Sequence, residues 1–453
     1  MHNNDQFSPS ERQAVASIAG LYGLRMLGLF MVLPVLALYV EDYQAATPLL
    51  LGFALGVYGL TQALLQIPLG LASDRLGRKP IIVGGLLLFV GGSVLAAEAE
   101  SIYGLIAGRA LQGAGAIAST LMALVADVTR EQNRTKAMAS IGGSIGFAFL
   151  LAMILGPWIS TQFGGVEAVF WVTAFLGVLG VLWAQWRLPA PQMGAVNRET
   201  QAVPAMISGV LKDVRLLRLD LGIFTLHLLL MAGFVAIPTV LTDSLQIPVE
   251  SHWWVYLLLL GGSFFAMIPA IIAAERGGHM KPVFLAAIAL AALSLGGFSL
   301  GFERGAAVAL GLLFLFFVAF NLLEASLPSL VSKTAPAGTR GTAMGVYSTS
   351  QFLGAFVGGV LGGWLLPLYG VAGLFAVLAL MTLLWLLVVF PMEAPRALSG
   401  VVLKYCDHDG YAHELEALPG VEEVVLVAHE KTAYAKVDRK EVDWGLLRPY
   451  LSE

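Results

Sequence analysis

Charge is what this chain has least of. Of its 453 residues, 12% are charged and 58% hydrophobic, whereas a soluble globular chain carries about 25% charge. With so few solubilising groups, most of the surface must meet lipid. A length that would allow two or three soluble domains is therefore read as membrane spans. Cysteine is almost missing too. Cys406 is the only one, which excludes a disulfide framework or a Cys-based zinc site within one monomer. No GxxxxGK[ST] loop occurs, so ATP is not the energy source. There is also no HExxH, no nucleophile elbow and no Cys-x-x-Cys, so no enzyme chemistry, cofactor or metal is expected. His408 and His413, which could join Cys406, form the nearest approach to a metal cluster. A net charge of -4 is too small to imply nucleic acid as a partner. The opening MHNNDQFSPSERQ is polar and is not a secretory signal, so insertion is expected through the first hydrophobic segment.

What the chain has instead is long apolar runs. A spanning helix needs about 20 mostly apolar residues. Such runs are predicted near 14–40, 48–73, 80–98, 101–127, 135–161, 166–186, 216–242, 252–274, 281–301, 305–332, 341–367 and 370–391. Helices are required, because in hydrocarbon only helices or closed barrels satisfy the backbone.

Lys and Arg set the orientation. One set of connections holds Arg12, Arg75, Arg78, Lys79, Arg130, Arg134, Lys136, Arg187, Arg198, Lys212, Arg215, Arg218, Arg276, Lys281, Lys333 and Arg340. The alternate set holds Glu41, Asp42, Glu98, Glu100, Glu167, Asp243, Glu250 and Glu303, with Arg304 as its cation. The split predicts both termini in the cytoplasm. The Pro-rich stretch 187–215 divides six helices (1–186) from six (216–391). The halves echo each other: Arg134-Thr-Lys-Ala137-Met138 recurs as Arg340-Gly-Thr-Ala343-Met344, and Gly156 and Trp158 match Gly362 and Trp364. Two repeated six-helix bundles about a central path are implied. After Pro391 the pattern becomes that of a small water-soluble α+β domain, 396–453. Its order, βαββα, is ferredoxin-like, and it lacks a last strand.

The turn after the second span carries Gly70-x-x-x-Asp74-Arg75-x-Gly77-Arg78-Lys79, which closely resembles motif A of the major facilitator superfamily. Arg109-Ala-Leu-Gln112-Gly113 resembles that family's motif B. Gly156-Pro157 resembles the tail of motif C, associated with proton-driven antiporters, although Ala152 stands where a glycine is usual and no Gly-Gly follows Pro157. With the appended βαββα module, the whole resembles the YajR-type transporters and their YAM domain. The resemblance covers residues 14–391 of the membrane part. It implies an all-α membrane protein of twelve helices in two pseudo-symmetric bundles.

By the same resemblance, Asp74 faces the positive end of the helix that starts near Gly341, and Arg78 reaches Asp127. The set Gly70, Asp74, Arg75, Gly77, Arg78, Lys79, Asp127 and Gly341 then latches the bundles together on the cytoplasmic side. The bland alternative is positive-inside anchoring, which accounts for Arg75 and Lys79 but not for Asp74.

Ionisable residues within spans are costly and mark function by default. Arg25, Arg109, His227 and Glu324 stand out, with Glu324 the first choice as proton carrier. Against this stand permanent pairing for Glu324, donation to backbone carbonyls for Arg109, a helix brace for Arg25 and simple packing for His227. The reading is a monomeric secondary transporter in a bacterial inner membrane. It exchanges protons for a small, amphipathic or drug-like molecule. A facilitator or importer of metabolites, or a membrane sensor signalling through the tail, are the rivals.

Overall fold

The computed structural model describes residues 7–189, 203–275, 279–393, 398–406, 408, 410–427, 432–438 and 441–451. Predicted linker residues 190–202, including Arg198, lie outside these, as does Arg276. Among the described residues, eleven helical runs are long and apolar enough to cross a bilayer. The last of them, Arg340–Val389, holds two helices. Gly370 sits inside it at φ 64° and ψ −173°, outside helical space. Twelve spans result.

In chain order they are α1 (Pro9–Phe30), α2 (Pro48–Leu76), α3 (Arg78–Ala97), α4 (Ile102–Val128), α5 (Glu131–Phe163) and α6 (Gly165–Arg187). The second six are α7 (Val214–Thr239), α8 (Val249–Ala274), α9 (Met280–Gly301), α10 (Ala306–Thr334), α11 (340–369) and α12 (371–389).

Two spans differ from expectation, each for a local reason. The first begins five residues early, because Ser8 caps it. The Ser8 side chain accepts from Glu11 N, and Glu11 Oε2 accepts from Ser8 N at 2.8 Å, a capping box with Pro9 in the first turn. It also stops at Phe30, and 31–42 run as turns and short 3₁₀ segments. Span α4 is broken at 115–117. Gly115 has φ −72° and ψ 46°, and its carbonyl is taken by Arg25 Nη2 at 2.9 Å instead of by the helix.

The C-terminal ends of α2, α4, α6, α8 and α10 share one face of the molecule, here called the cation-rich face. The halves meet most tightly toward the other face, where α2 lies against α11. A Cβ on Gly52 would sit 2.0 Å from Gly359 O, one on Gly59 2.5 Å from Phe352 O, and one on Gly363 2.2 Å from Pro48 O. Only bare glycine backbones permit that approach, the usual device where lipid removes the hydrophobic drive between helices. Nearer the cation-rich face, Gln66 Nε2 donates to Thr349 Oγ1 at 3.1 Å.

The tail follows the predicted order: β1 (Leu398–Lys404), α13 (Tyr411–Glu416), β2 (Val421–Val427), β3 (Thr432–Asp438) and α14 (Trp444–Leu447). The sheet is antiparallel in the order β1-β3-β2. Where a ferredoxin-like fold would add a fourth strand beside β1, a single antiparallel bridge joins Leu403 to Leu451. One sheet face packs on Leu415 and Leu447. The other packs through Val427 and Tyr434 on Ala337, in the α10–α11 connection. Lys436 Nζ donates to Lys333 O at 2.8 Å, closing an end carbonyl of α10, and Ala337 N donates to Glu423 Oε2 at 3.3 Å. A cavity of about 680 Å³ remains at this junction, with Arg215, Arg218, Lys333 and Glu422 in its wall.

Candidate functional site

Three groups of side chains carry the chemistry, and they sit at three levels. The first is the turn between α2 and α3. Gly77 has φ 92°, a conformation that side chains resist, and it lets α3 begin at Arg78 immediately after α2 ends. Arg78 is thereby aimed back across α2. Its Nη1 donates to Ser73 Oγ at 2.6 Å and pairs with Asp74, while Nε donates to Asp127 Oδ2 at 2.9 Å. One guanidinium so joins the ends of α2, α3 and α4. Lys79 Nζ donates to Gln185 O at 2.5 Å, at the end of α6. Arg75 is exposed, and Gly70 lies against Ser119 of α4. Gly341 is buried in the first turn of α11. Asp74 makes no hydrogen bond to it; among the described residues its partner is Arg78. The structure has the cation-rich ends of α2 and α11 unlatched, while their other ends touch.

The second group is sealed inside the first half. Arg25 and Arg109 are 2% and 1% exposed, and their partners among the described residues are neutral. Arg25 Nη2 donates to Gln62 Oε1 and Gly115 O, both at 2.9 Å. Arg109 donates to Gln112 Oε1 at 2.8 Å and Ala54 O at 3.4 Å. Gln112 Nε2 continues to Ser93 Oγ at 2.8 Å. Both guanidiniums lie over the Tyr58 ring, 5.9 and 5.4 Å from its centroid, so the aromatic quadrupole offsets part of their charge. Arg25 Nε and Nη1 have no acceptor among the described residues. Gly113 abuts Tyr58 O and Gly156 abuts Met31 O, so these glycines of the motifs are points of helix approach. Pro157 follows inside α5, its carbonyl accepting from Ser160 Oγ at 2.9 Å.

The third group lies in the second half. Gln351 Nε2 stands 2.8 Å from His227 Nε2 and 3.2 Å from Glu324 Oε1, while His227 Nδ1 is 3.9 Å from Glu324 Oε2. The Glu324 side chain is 38% exposed and that of His227 15%, so the carboxyl is reachable yet in contact with the imidazole. Among the described residues neither Glu324 Oε2 nor His227 Nδ1 has a hydrogen-bond partner.

Sequence reasoning named Glu324 and His227 separately, and the structure brings them together through Gln351. It missed Gln351 because an amide in an apolar run gives no charge signal. It also missed Glu11, whose carboxylate holds the α4–α5 connection: Arg130 N and Nη2 donate to it at 2.8 and 2.9 Å, and Asn133 Nδ2 at 3.2 Å. The Ser8-x-x-Glu11 spacing was its available signal. Outside the spans, Asp213 caps α7, and hydrogen bonds from the Arg215 guanidinium hold its carboxyl below the ordinary range. Among the described residues no cluster of His, Cys, Asp and Glu could hold a metal ion, and Cys406 is exposed.

The sequence profile described as Major Facilitator Superfamily matches residues 18–359 and 234–401. The inner membrane transport protein YajR of Escherichia coli (strain K12) is 46% identical over 97% of this chain and 97% of its own. The multidrug resistance protein MdtH of Edwardsiella ictaluri is 26% identical, over 83% of this chain and 93% of its own. Among solved structures, the nucleoside transporter NupG superposes with a TM-score of 0.66 at 14% identity, covering 84% of this chain and 99% of that one. It shares the fold. A matching profile over most of the length and a near full-length relative at this identity lead to one conclusion: the chain belongs to the Major Facilitator Superfamily, as a multi-pass integral membrane transporter of the YajR type.

Proposed function

We propose that this transporter is a proton-coupled antiporter exporting small amphipathic or drug-like molecules by alternating access. The observation that carries the reading is the Glu324 site. A carboxyl inside a span is costly unless it serves a path or a proton relay. This one is half-exposed, touches an imidazole and has no fixed cation beside it among the described residues. Relatives named multidrug resistance proteins at 26–27% identity support the substrate class. The cation-rich face is taken as cytoplasmic, with both termini there and the protein in the inner membrane. The working units are the bundles 1–186 and 216–391, the linker 187–215 and the tail 396–453.

In this reading the structure is the inward-facing state. Glycine contacts close the outer ends of α2 and α11, and Asp74 is disengaged from the start of α11. Rocking outward would bring Asp74 to the positive end of α11 near Gly341, with Arg78 and Asp127 holding the carboxylate in position. Protons then load Glu324 from outside and leave it inside in exchange for substrate.

The test has two steps. Compounds that stabilise the purified protein thermally are found first. Their transport is then followed in proteoliposomes with and without a pH gradient. Transport that accelerates with the gradient supports antiport, and transport indifferent to it defeats the proposal.

A further inference from the structure

One charged-type side chain in the second half has no role in the site above. Asp220 lies in α7, 6% exposed, with neither a salt bridge nor a hydrogen bond among the described residues, and its Oδ2 is buried without a partner. It is seven residues before His227, two helical turns, so both belong to one stripe of α7. α11 packs on α7 with Gly354 against Phe224 O and Gly358 against Leu228 O, and Tyr347, two helical turns before Gly354, belongs to that same face of α11. Its hydroxyl is buried and also unpartnered, and it lies within electrostatic reach of both Glu324 and Asp220. Tyr347 is in turn one helical turn before Gln351, which holds Glu324 and His227 together.

The count of groups is what matters. Two carboxyls each present an oxygen with no donor among the described residues, and one phenolic O–H within electrostatic reach of both bonds to neither in this structure. A single O–H can serve only one carboxylate at a time. The other carboxyl must then carry its own proton or stay an unpaired buried charge, which lipid-embedded bundles avoid. We propose that Asp220 is a second proton-binding carboxyl, coupled to Glu324 through the shared hydroxyl of Tyr347.

Each carboxylate takes its proton from hydronium, giving a carboxylic acid and water, and returns it the same way. The hydroxyl turns toward whichever carboxyl is ionised. The other charged or titratable residues of its own helix are Arg215, Arg218 and His227; from α11 Tyr347 lies within electrostatic reach of Asp220 and also of Glu324 on α10. Arg218 and Lys333 line the junction cavity on the cation-rich side, which provides a polar exit for a proton leaving Asp220. A proton gained by one carboxyl then alters how readily the other holds its own. The inference rests on the proton-coupling reading of Glu324 and extends it from one carboxyl to two.

The experiment is infrared difference spectroscopy of the carboxyl C=O stretch, on the full chain reconstituted in lipid and stepped from alkaline to acid buffer. Asp220→Asn should remove one titrating carboxyl band and shift the midpoint of the one that remains. Asp220→Glu should restore two bands, which guards against loss through misfolding. Tyr347→Phe should keep both bands and move both midpoints. A spectrum in which Asp220→Asn removes no titrating band overturns the proposal. Loss of a band at Asp220→Asn alongside no change at Glu324→Gln would leave Asp220 standing but remove the coupling to Glu324, overturning the proposed pair. That last result would at the same time defeat the Glu324 reading on its own ground.

Discussion

The two halves share a backbone plan but bury opposite chemistry. Inside the first half are two guanidiniums, Arg25 and Arg109, held by amide and carbonyl oxygens and faced by Tyr58. Inside the second are Asp220, His227 and Glu324, with unpartnered oxygens and a ring nitrogen. A guanidinium in a protein cannot shed its proton, whereas carboxyls and imidazoles exchange theirs. Under the proposed function, one bundle supplies a fixed positive field and the other supplies the groups whose charge changes. Duplication of six helices therefore does not duplicate the site.

That contrast can be broken most directly at Glu324. Glu324→Gln should abolish the dependence of transport on a pH gradient, measured in proteoliposomes, and persistence of the dependence would locate the proton elsewhere. The matching change in the first half is Arg25→Met. It strands Gly115 O, so it should lower stability by about 1–3 kcal/mol in thermal unfolding while leaving the shape of the pH profile alone. A changed profile would mean that both halves titrate.

The seam between the halves gives the next test. A methyl group on Gly359 would lie 2.4 Å from Gly52 O, and overpacking of this sort costs about 1–3 kcal/mol. Gly359→Ala should shift the population toward the state open at the outer ends. Faster labelling of a Leu51→Cys thiol, at a position buried here, in a Cys406→Ser background would report this, and unchanged labelling would remove the seam as a gate. At the latch, exchanging Arg78 and Asp127 for each other should recover part of the transport that either single loss removes, on the scale of about 1 kcal/mol for a partly exposed pair. No recovery would mean that they act separately. Deleting 396–453 should have the smallest effect, with transport retained. Its loss would favour signalling or assembly through the tail.

The spans were readable because lipid demands long apolar runs, and the βαββα tail because alternation and turn residues survive in a polar segment. The break in α4 was hidden: it depends on Arg25, 90 residues earlier in the chain, taking the carbonyl of Gly115. Asp220 was hidden by its neighbours. It falls inside the predicted span 216–242, but Arg215 and Arg218 mark that end as polar, and a carboxylate beside them passes for an interfacial charge. Tyr347 and Gln351 resemble ordinary residues of an apolar helix until a carboxyl from another helix arrives. The glycines of α2 and α11 were visible as residues, but no pattern in either run names the other as its partner.

The seat of the tail has a practical use. Its sheet rests on the connection that leads into α11, and it carries the chain's single thiol, exposed at Cys406. A dye attached there, with a second one on the opposite bundle, would turn each rocking motion into a change of fluorescence. The native protein thus already holds the handle needed to watch itself move.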